Sequence, residues 1–204
     1  MSTAQQRDLI SVEEYLDGEQ VSKTRHEYVG GSVYAMSGGR NQHNLIAGNA
    51  FAFLHSRLRG SSCRPYNPDT KIRIRFQSHI RFYYPDTSVT CQPNAPNETF
   101  QDQPVVIVEV LSDSTRRVDE GEKKDAYLTI PSLQIYLLVE PDSPAVTIHR
   151  RTDQGFTRET VTGSDAVIAM PEIGTELPLS ELYDGADFPA GAGADHVIRP
   201  DEDV

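Results

Sequence analysis

Val105-Val106-Ile107-Val108-Glu109-Val110 is apolar on both faces except for one carboxylate. Strands that alternate in polarity show one face to water. A run of Val and Ile without alternation is a central strand covered on both sides, as in sheets flanked by helices. Working outward, Arg117 to Ile130 has helical spacing and stops at Pro131, which disfavours helix in the residue before it. Gln134–Val139 is a second apolar strand. Strand, helix, strand in that order predicts a crossover unit with the two strands in one sheet. Upstream, a polar loop from Gln92 to Gln103 separates the run from Thr87–Thr90 and Arg81–Tyr84, which flank Pro85-Asp86. Lys71 to Phe76 alternates strictly and reads as a half-exposed strand.

The outer segments agree with this reading. Ser11 and Glu14 form a capping box that opens a short helix to about Asp17. His26–Val29 and Ser32–Met36 are strand-like and meet at Gly30-Gly31, whose residue types supply the positive φ values of a tight hairpin. Ser37-Gly38-Gly39 ends that hairpin. From Asn41 to Arg59, Ile46, Ala50, Phe53, Leu54 and Leu58 mark an apolar helical stripe, with Gly60 at the usual C-terminal cap and His43 in the first turn. Ala145–Arg150 and Phe156–Thr162 form a late antiparallel pair, and Leu177–Tyr183 closes the domain. No internal repeat is present. The expected fold class is α/β (α+β), a mixed β-sheet flanked by helices.

A chain of 204 residues suits one domain that buries roughly 70% of its unfolded surface. The expected division is a domain over residues 1–184 and a disordered acidic tail over 185–204, where Gly, Ala and Asp dominate without periodicity. The two cysteines, Cys63 and Cys91, lack metal-ligand spacing and read as buried thiols of a reducing compartment, with a single disulfide between them as the alternative. No basic region followed by an apolar run opens the sequence, and no apolar stretch approaches the ~20 residues of a membrane span. A cytoplasmic protein without a membrane partner is expected. The formal charge of −11 argues against tight, sequence-independent binding of nucleic acid. It is compatible with a nuclease, because carboxylates that hold divalent cations add negative charge.

Glu109 carries the most information. A carboxylate inside an apolar strand must be paired, protonated, metal-bound or placed at an exposed strand end. If the strands around Asp86 neighbour the central strand, Asp86 and Glu109 approach on one face. Two such acids repel one another, and Mg²⁺ or Mn²⁺ relieves the repulsion. A buried salt bridge, or an Asp that caps the turn after Pro85, are the structural alternatives. Lys123 can supply a cation beside a phosphate, or form an ordinary helical pair with Asp119. Tyr127, four residues on, shares its helix face. Glu27 is either a further acid near the metal or a partner of Arg25. His43 either touches a phosphate from a helix start or is simply polar there. Asp69 reads as a turn residue, and Arg73 and Arg75 as a solvated strand face that can meet a phosphate.

Taken in order, Arg25-His26-Glu27-Tyr28, Gly31, Tyr34-Ala35-Met36-Ser37-Gly38, His43, Tyr84-Pro85-Asp86, Val108-Glu109-Val110-Leu111-Ser112, Ser114-Thr115, Asp119, Lys123 and Tyr127 resemble the Uma-type family. Its members are described as "putative restriction endonucleases" of the PD-(D/E)XK superfamily. The resemblance covers about Ser11 to Tyr183. It implies a restriction-endonuclease-like fold, with Asp86 and Glu109 binding Mg²⁺, for which Mn²⁺ can substitute. The backbone carbonyl of Val110 or Leu111 is the expected further ligand. Leu111 stands where the superfamily's usual lysine falls, and the family's displaced lysine matches Lys123. Glu27, His43 and Tyr127 match accessory positions. Gly30 and Lys124 depart from the common family residues without touching the implied site. The implied function is metal-dependent phosphodiester hydrolysis, as a DNA endonuclease that acts as a homodimer. Two alternatives stand beside it: a binding module for nucleic acid or a partner that keeps the fold without cutting, and a hydrolase of small phosphodiesters.

Overall fold

The computed structural model describes residues 9–188. Ser11 caps the first helix as its spacing demands: its hydroxyl accepts the Glu14 N–H at 3.2 Å, and the Glu14 carboxylate accepts the Ser11 N–H at 2.8 Å. That helix, α1 (Val12–Val21), runs a turn past Asp17 because Tyr15 and Glu19 lie on its buried side. The hairpin β1 (His26–Val29) and β2 (Ser32–Ala35) turns at Gly30 and Gly31, both at positive φ. Then come α2 (Asn41–Arg57), β3 (Arg64–Tyr66), β4 (Lys71–Arg75), β5 (Ile80–Tyr83), β6 (Thr87–Thr90), β7 (Phe100–Gln101) and β8 (Pro104–Val110). The helical crossover is α3 (Arg116–Val118), a π-turn (Asp119–Lys123) and α4 (Lys124–Leu128). The chain ends in β9 (Ile135–Val139), β10 (Ala145–Thr152), β11 (Gly155–Thr162), β12 (Val167–Met170), β13 (Thr175–Pro178) and α5 (Leu179–Leu182).

The strands form two main sheets. One has the order β2-β1-β5-β4-β7 and the other β11-β10-β9-β8-β6-β3, with β12 and β13 as a separate pair. β8 is central in the second sheet, parallel to β9 and antiparallel to β6. Its two faces serve different cores. Val106, Val108 and Val110 pack with Ile46, Ala50 and Leu54 of α2. Ile107 packs with Tyr127 of α4 and with Ile72, Ile74 and Tyr83 of the first sheet. The run therefore lacks alternation for the reason its sequence implies: water reaches neither side. The chain passes from the first sheet to the second between β5 and β6, and Asp86 sits on that passage.

Four strands were not evident from the sequence. β7 has two residues, β3 carries Pro65 on the edge of its sheet, and β12 and β13 pair only with each other. Such elements are held by their neighbours, not by a pattern of their own. Ala186 and Phe188 pack against the larger core, and the Phe188 ring lies 5.4 Å from that of Tyr183. The tail expected beyond them, from residue 189, lies outside the described residues, as do residues 1–8.

The cysteine reading requires correction. Cys63 and Cys91 are joined in a disulfide, with Cα atoms 3.7 Å apart, instead of standing as two thiols. They extend the antiparallel register in which Arg64 faces Thr90, so adjacent strands bring them together. Spacing along the chain could not show this. Protein denatured without reductant should therefore have no titratable thiol. Replacing both cysteines by serine should lower stability by about 2–4 kcal/mol, read as a shift in the urea midpoint; an unchanged midpoint would show that the bridge adds nothing.

Candidate active site

The register of the second sheet builds the centre of the site. Thr87 faces Val108 across β6 and β8, so the next position places Asp86 opposite Glu109. Directly opposed residues of antiparallel strands point to the same face. The Asp86 carboxylate accepts the Val110 N–H at 2.8 Å, which ties it to the end of the central strand. His43, in the first turn of α2, brings Nε2 to 3.2 Å from the same carboxylate oxygen. Burial works against the His43 imidazolium, but the hydrogen bond and charge of Asp86 outweigh it, and the pKa lies above the ordinary value. The ring fits because Gly39 has no side chain: a Cβ there would stand 2.7 Å from His43 Nδ1.

Lys123 is the other pole. Its Nζ lies 2.8 Å from Glu27 of β1, 3.4 Å from Asp119 and 3.6 Å from Glu109. Asp119 and Lys123 are 2% and 6% exposed, so they are a buried pair and not a solvated helical one. The π-turn carries both, and the Tyr136 hydroxyl donates to the Asp119 carbonyl from β9. Tyr127 donates from its hydroxyl to Glu109 at 3.3 Å. Burial drives the Glu109 carboxyl well above the usual range, opposed by Lys123 and reinforced by Asp119, Asp86 and Glu27. Burial also penalises the Lys123 ammonium, yet Glu109, Glu27 and Asp119 together hold its pKa above that of a free lysine.

His43, Asp86, Glu109, Val110, Asp119 and Lys123 all line one cleft of about 410 Å³. Glu27 reaches it through Lys123, and Tyr127 stands behind Glu109, fully buried. All seven residues singled out from the sequence thus converge on one region. Arg25 pairs with Asp69, which leaves Glu27 to Lys123. Arg73 makes a two-pronged pair with Asp102 at 2.7 Å and does not face the cleft. Asp119 was visible in the sequence only as a helical neighbour of Lys123. Its burial depends on the π-turn, for which the sequence carries no signal.

Among the described residues, no three His, Cys, Asp or Glu side chains form a ready-made metal cage. The donors are two opposed carboxylates, Asp86 and Glu109, beside strand-end carbonyls. Such an open oxygen set suits Mg²⁺, which retains several waters and takes one or two protein carboxylates. The inward oxygens of Glu27 and Asp119 face the Lys123 ammonium, at 2.8 and 3.4 Å.

Two mixed sheets with helices on their faces, and an acid pair with a lysine at the junction, define a restriction-endonuclease-like α/β fold. The same fold appears in the crystal structure of "a putative nuclease belonging to DUF820" from Anabaena variabilis, with a TM-score of 0.67, 18% identity, and coverage of 85% of this chain and 97% of that one. The chain belongs to the Uma2 family, described as "Putative restriction endonuclease", whose profile matches residues 12–180. Two uncharacterized proteins of Synechocystis sp. are also similar: slr1290 is 34% identical over 88% of this chain and 94% of its own length, and sll1609 is 27% identical over 65% and 75%. Among the described residues, no helix is long and apolar enough to cross a membrane.

Glu109 generates a pH test on metal-free protein. Its folded pKa is raised, so the folded state binds the extra proton, and this contribution to stability is complete below about pH 4.5. It is lost as pH rises through the folded pKa. Glu109→Gln removes that loss. The variant should therefore melt at a higher temperature than wild type near pH 8, with the gain shrinking towards pH 4. Parallel melting curves for the two proteins would refute the assignment.

Proposed function

We infer that this protein is a metal-dependent phosphodiester hydrolase, a DNA endonuclease that takes Mg²⁺ or Mn²⁺. The observation that carries the reading is the opposition of Asp86 and Glu109 in one cleft, with the Lys123 ammonium beside them. Asp86 and Glu109 would hold the cation, together with the Val110 carbonyl. Bound there, a divalent cation supplies Lewis-acid polarisation of the phosphodiester and a lower pKa for water at neutral pH. Lys123 keeps its proton throughout and offers a fixed positive charge to the phosphate oxygens. Glu27 and Asp119 hold that ammonium in place, and Tyr127 orients Glu109 through its hydroxyl. His43 restrains Asp86 and brings a partial positive charge to the mouth of the cleft. Hydrolysis adds water across one P–O ester bond. A homodimer would let two such sites cut both strands.

We place the enzyme in the cytoplasm. The Cys63–Cys91 bridge is at odds with that placement, because cytosolic glutathione keeps thiols reduced. The rival reading is a binding module that no longer cuts. It draws on the Lys123 ammonium, which already neutralises part of the acid cluster without any added cation.

Conversion of supercoiled plasmid in Mn²⁺ separates the two readings. Asp86→Asn keeps an acceptor for the Val110 N–H, so it should fold normally and lose at least about 100-fold in cleavage rate. Unaltered cleavage would reject the site, and DNA binding without cleavage by the wild type would favour the module. Lys123→Met is a poorer probe. It strands the buried carboxylates of Glu109 and Asp119 and the half-buried one of Glu27, and should cost roughly 3–5 kcal/mol of stability, measured by urea unfolding, before any effect on rate.

A further inference from the structure

A second cavity, of about 530 Å³, lies beside the catalytic cleft. Tyr84 lines both, and the turn between β3 and β4 contributes Pro68 to the cleft and Asp69 to the cavity. In its wall is Lys71, 4% exposed, whose Nζ donates only to the Tyr84 hydroxyl, at 3.3 Å. Among the described residues, no carboxylate lies within ion-pair distance of Lys71. The nearby acid, Glu19, is already engaged: it accepts the Tyr84 hydroxyl at 2.8 Å and sits 2.7 Å from His26 Nδ1. A second acid of the cavity, Asp69, is taken by Arg25 at 3.0 Å. Arg64, at the exposed rim, forms no ion pair among the described residues. Glu98 is the remaining acid and is exposed.

A buried ammonium with spare donors and no counter-charge at ion-pair distance is costly. Burial lowers the Lys71 pKa, Glu19 only partly offsets this, and Arg25 adds to the shift. An anion beside Nζ would remove the penalty. The cavity far exceeds a lone phosphate and falls in the size range of sites for small organic ligands. Its shared wall with the cleft sets it beside Asp86 and Glu109.

We propose that this cavity holds the nucleotide adjoining the cleaved bond, with that nucleotide's phosphate on Lys71 and Arg64 at the mouth. The proposal rests on the nuclease reading for the identity of the strand, but the binding it describes can be measured without cleavage.

The test is titration of the full chain in EDTA with the 5′-phosphorylated dinucleotide pTpT and, separately, with inorganic phosphate, followed by calorimetry. Wild type should bind pTpT. Lys71→Met should weaken binding about ten-fold or more, and Lys71→Arg should restore most of it. Arg64→Glu lies at the surface and should fold whatever happens to Lys71→Met; it should weaken binding about five-fold. Equal affinity of wild type, Lys71→Met and Arg64→Glu, or no binding by wild type, would overturn the proposal. Inorganic phosphate bound as tightly as pTpT would also overturn it, in favour of a free-anion site. Plasmid cleavage scored in parallel keeps the two ideas apart. Cutting without Lys71-dependent binding sinks only the cavity. Lys71-dependent binding without cutting sinks only the nuclease.

Discussion

The structure around the cleft depends on one buried ammonium. Lys123 meets Glu27 from the first sheet, Glu109 from the second, and Asp119 from its own helical turn. No other contact described here joins those three elements at a single atom. Removing four ionisable groups from water costs several kcal/mol for each ion, and attraction in a low-dielectric interior must offset that. The acids outnumber the cation three to one, so the offset is incomplete. The raised pKa of Glu109 is the visible consequence. A well-packed apolar cluster would hold the same elements together at less cost. On the proposed nuclease reading, the excess charge serves the chemistry of the cleft more than the stability of the fold.

That excess explains why so much of the site was legible in the chain. Val and Ile on both sides of Glu109 imply a covered strand, and a carboxylate in such a strand demands a partner. Asp86 follows because a residue at the start of a neighbouring antiparallel strand can face it. Pairing of the two strands was an assumption at the level of sequence. It holds for β6 but not for β5, which belongs to the other sheet. Lys123 and Tyr127 share a helix face by simple periodicity, and both point to Glu109. The ordered resemblance to one family added weight to Glu27 and His43, for which spacing alone favoured the structural reading.

What stayed hidden has common physical causes. The π-turn at Asp119–Lys123 shifts the helical register by one residue, and no residue type announces it. The two-residue β7 and the paired β12 and β13 exist because a neighbour offers backbone partners. The disulfide requires two strands to align, which is a tertiary fact. The Lys71, Tyr84 and Glu19 cluster was invisible for a similar reason. Lys71 opens an alternating strand that reads as half-exposed, and Glu19 lies two residues beyond where α1 was expected to stop.

The overall acidity of the chain, which weighs against nucleic-acid binding, is distributed unevenly. Residues 185–204 hold five acids against one arginine, so part of the −11 comes from the last twenty residues of the sequence. Asp86, Glu109 and Asp119 line the cleft where, on the proposed reading, a divalent cation would sit, and a bound cation would reverse the local sign seen by a phosphate. The cations that, on the proposed reading, would meet a strand stand in the cleft (Lys123) and the adjoining cavity (Lys71 and Arg64), not on an open basic face. A site arranged in this way attracts a polyanion only weakly at long range and holds it only once the strand has entered. Specific geometry, more than net charge, then decides which strand is bound, and association should depend less steeply on salt than it does for proteins with a basic stripe.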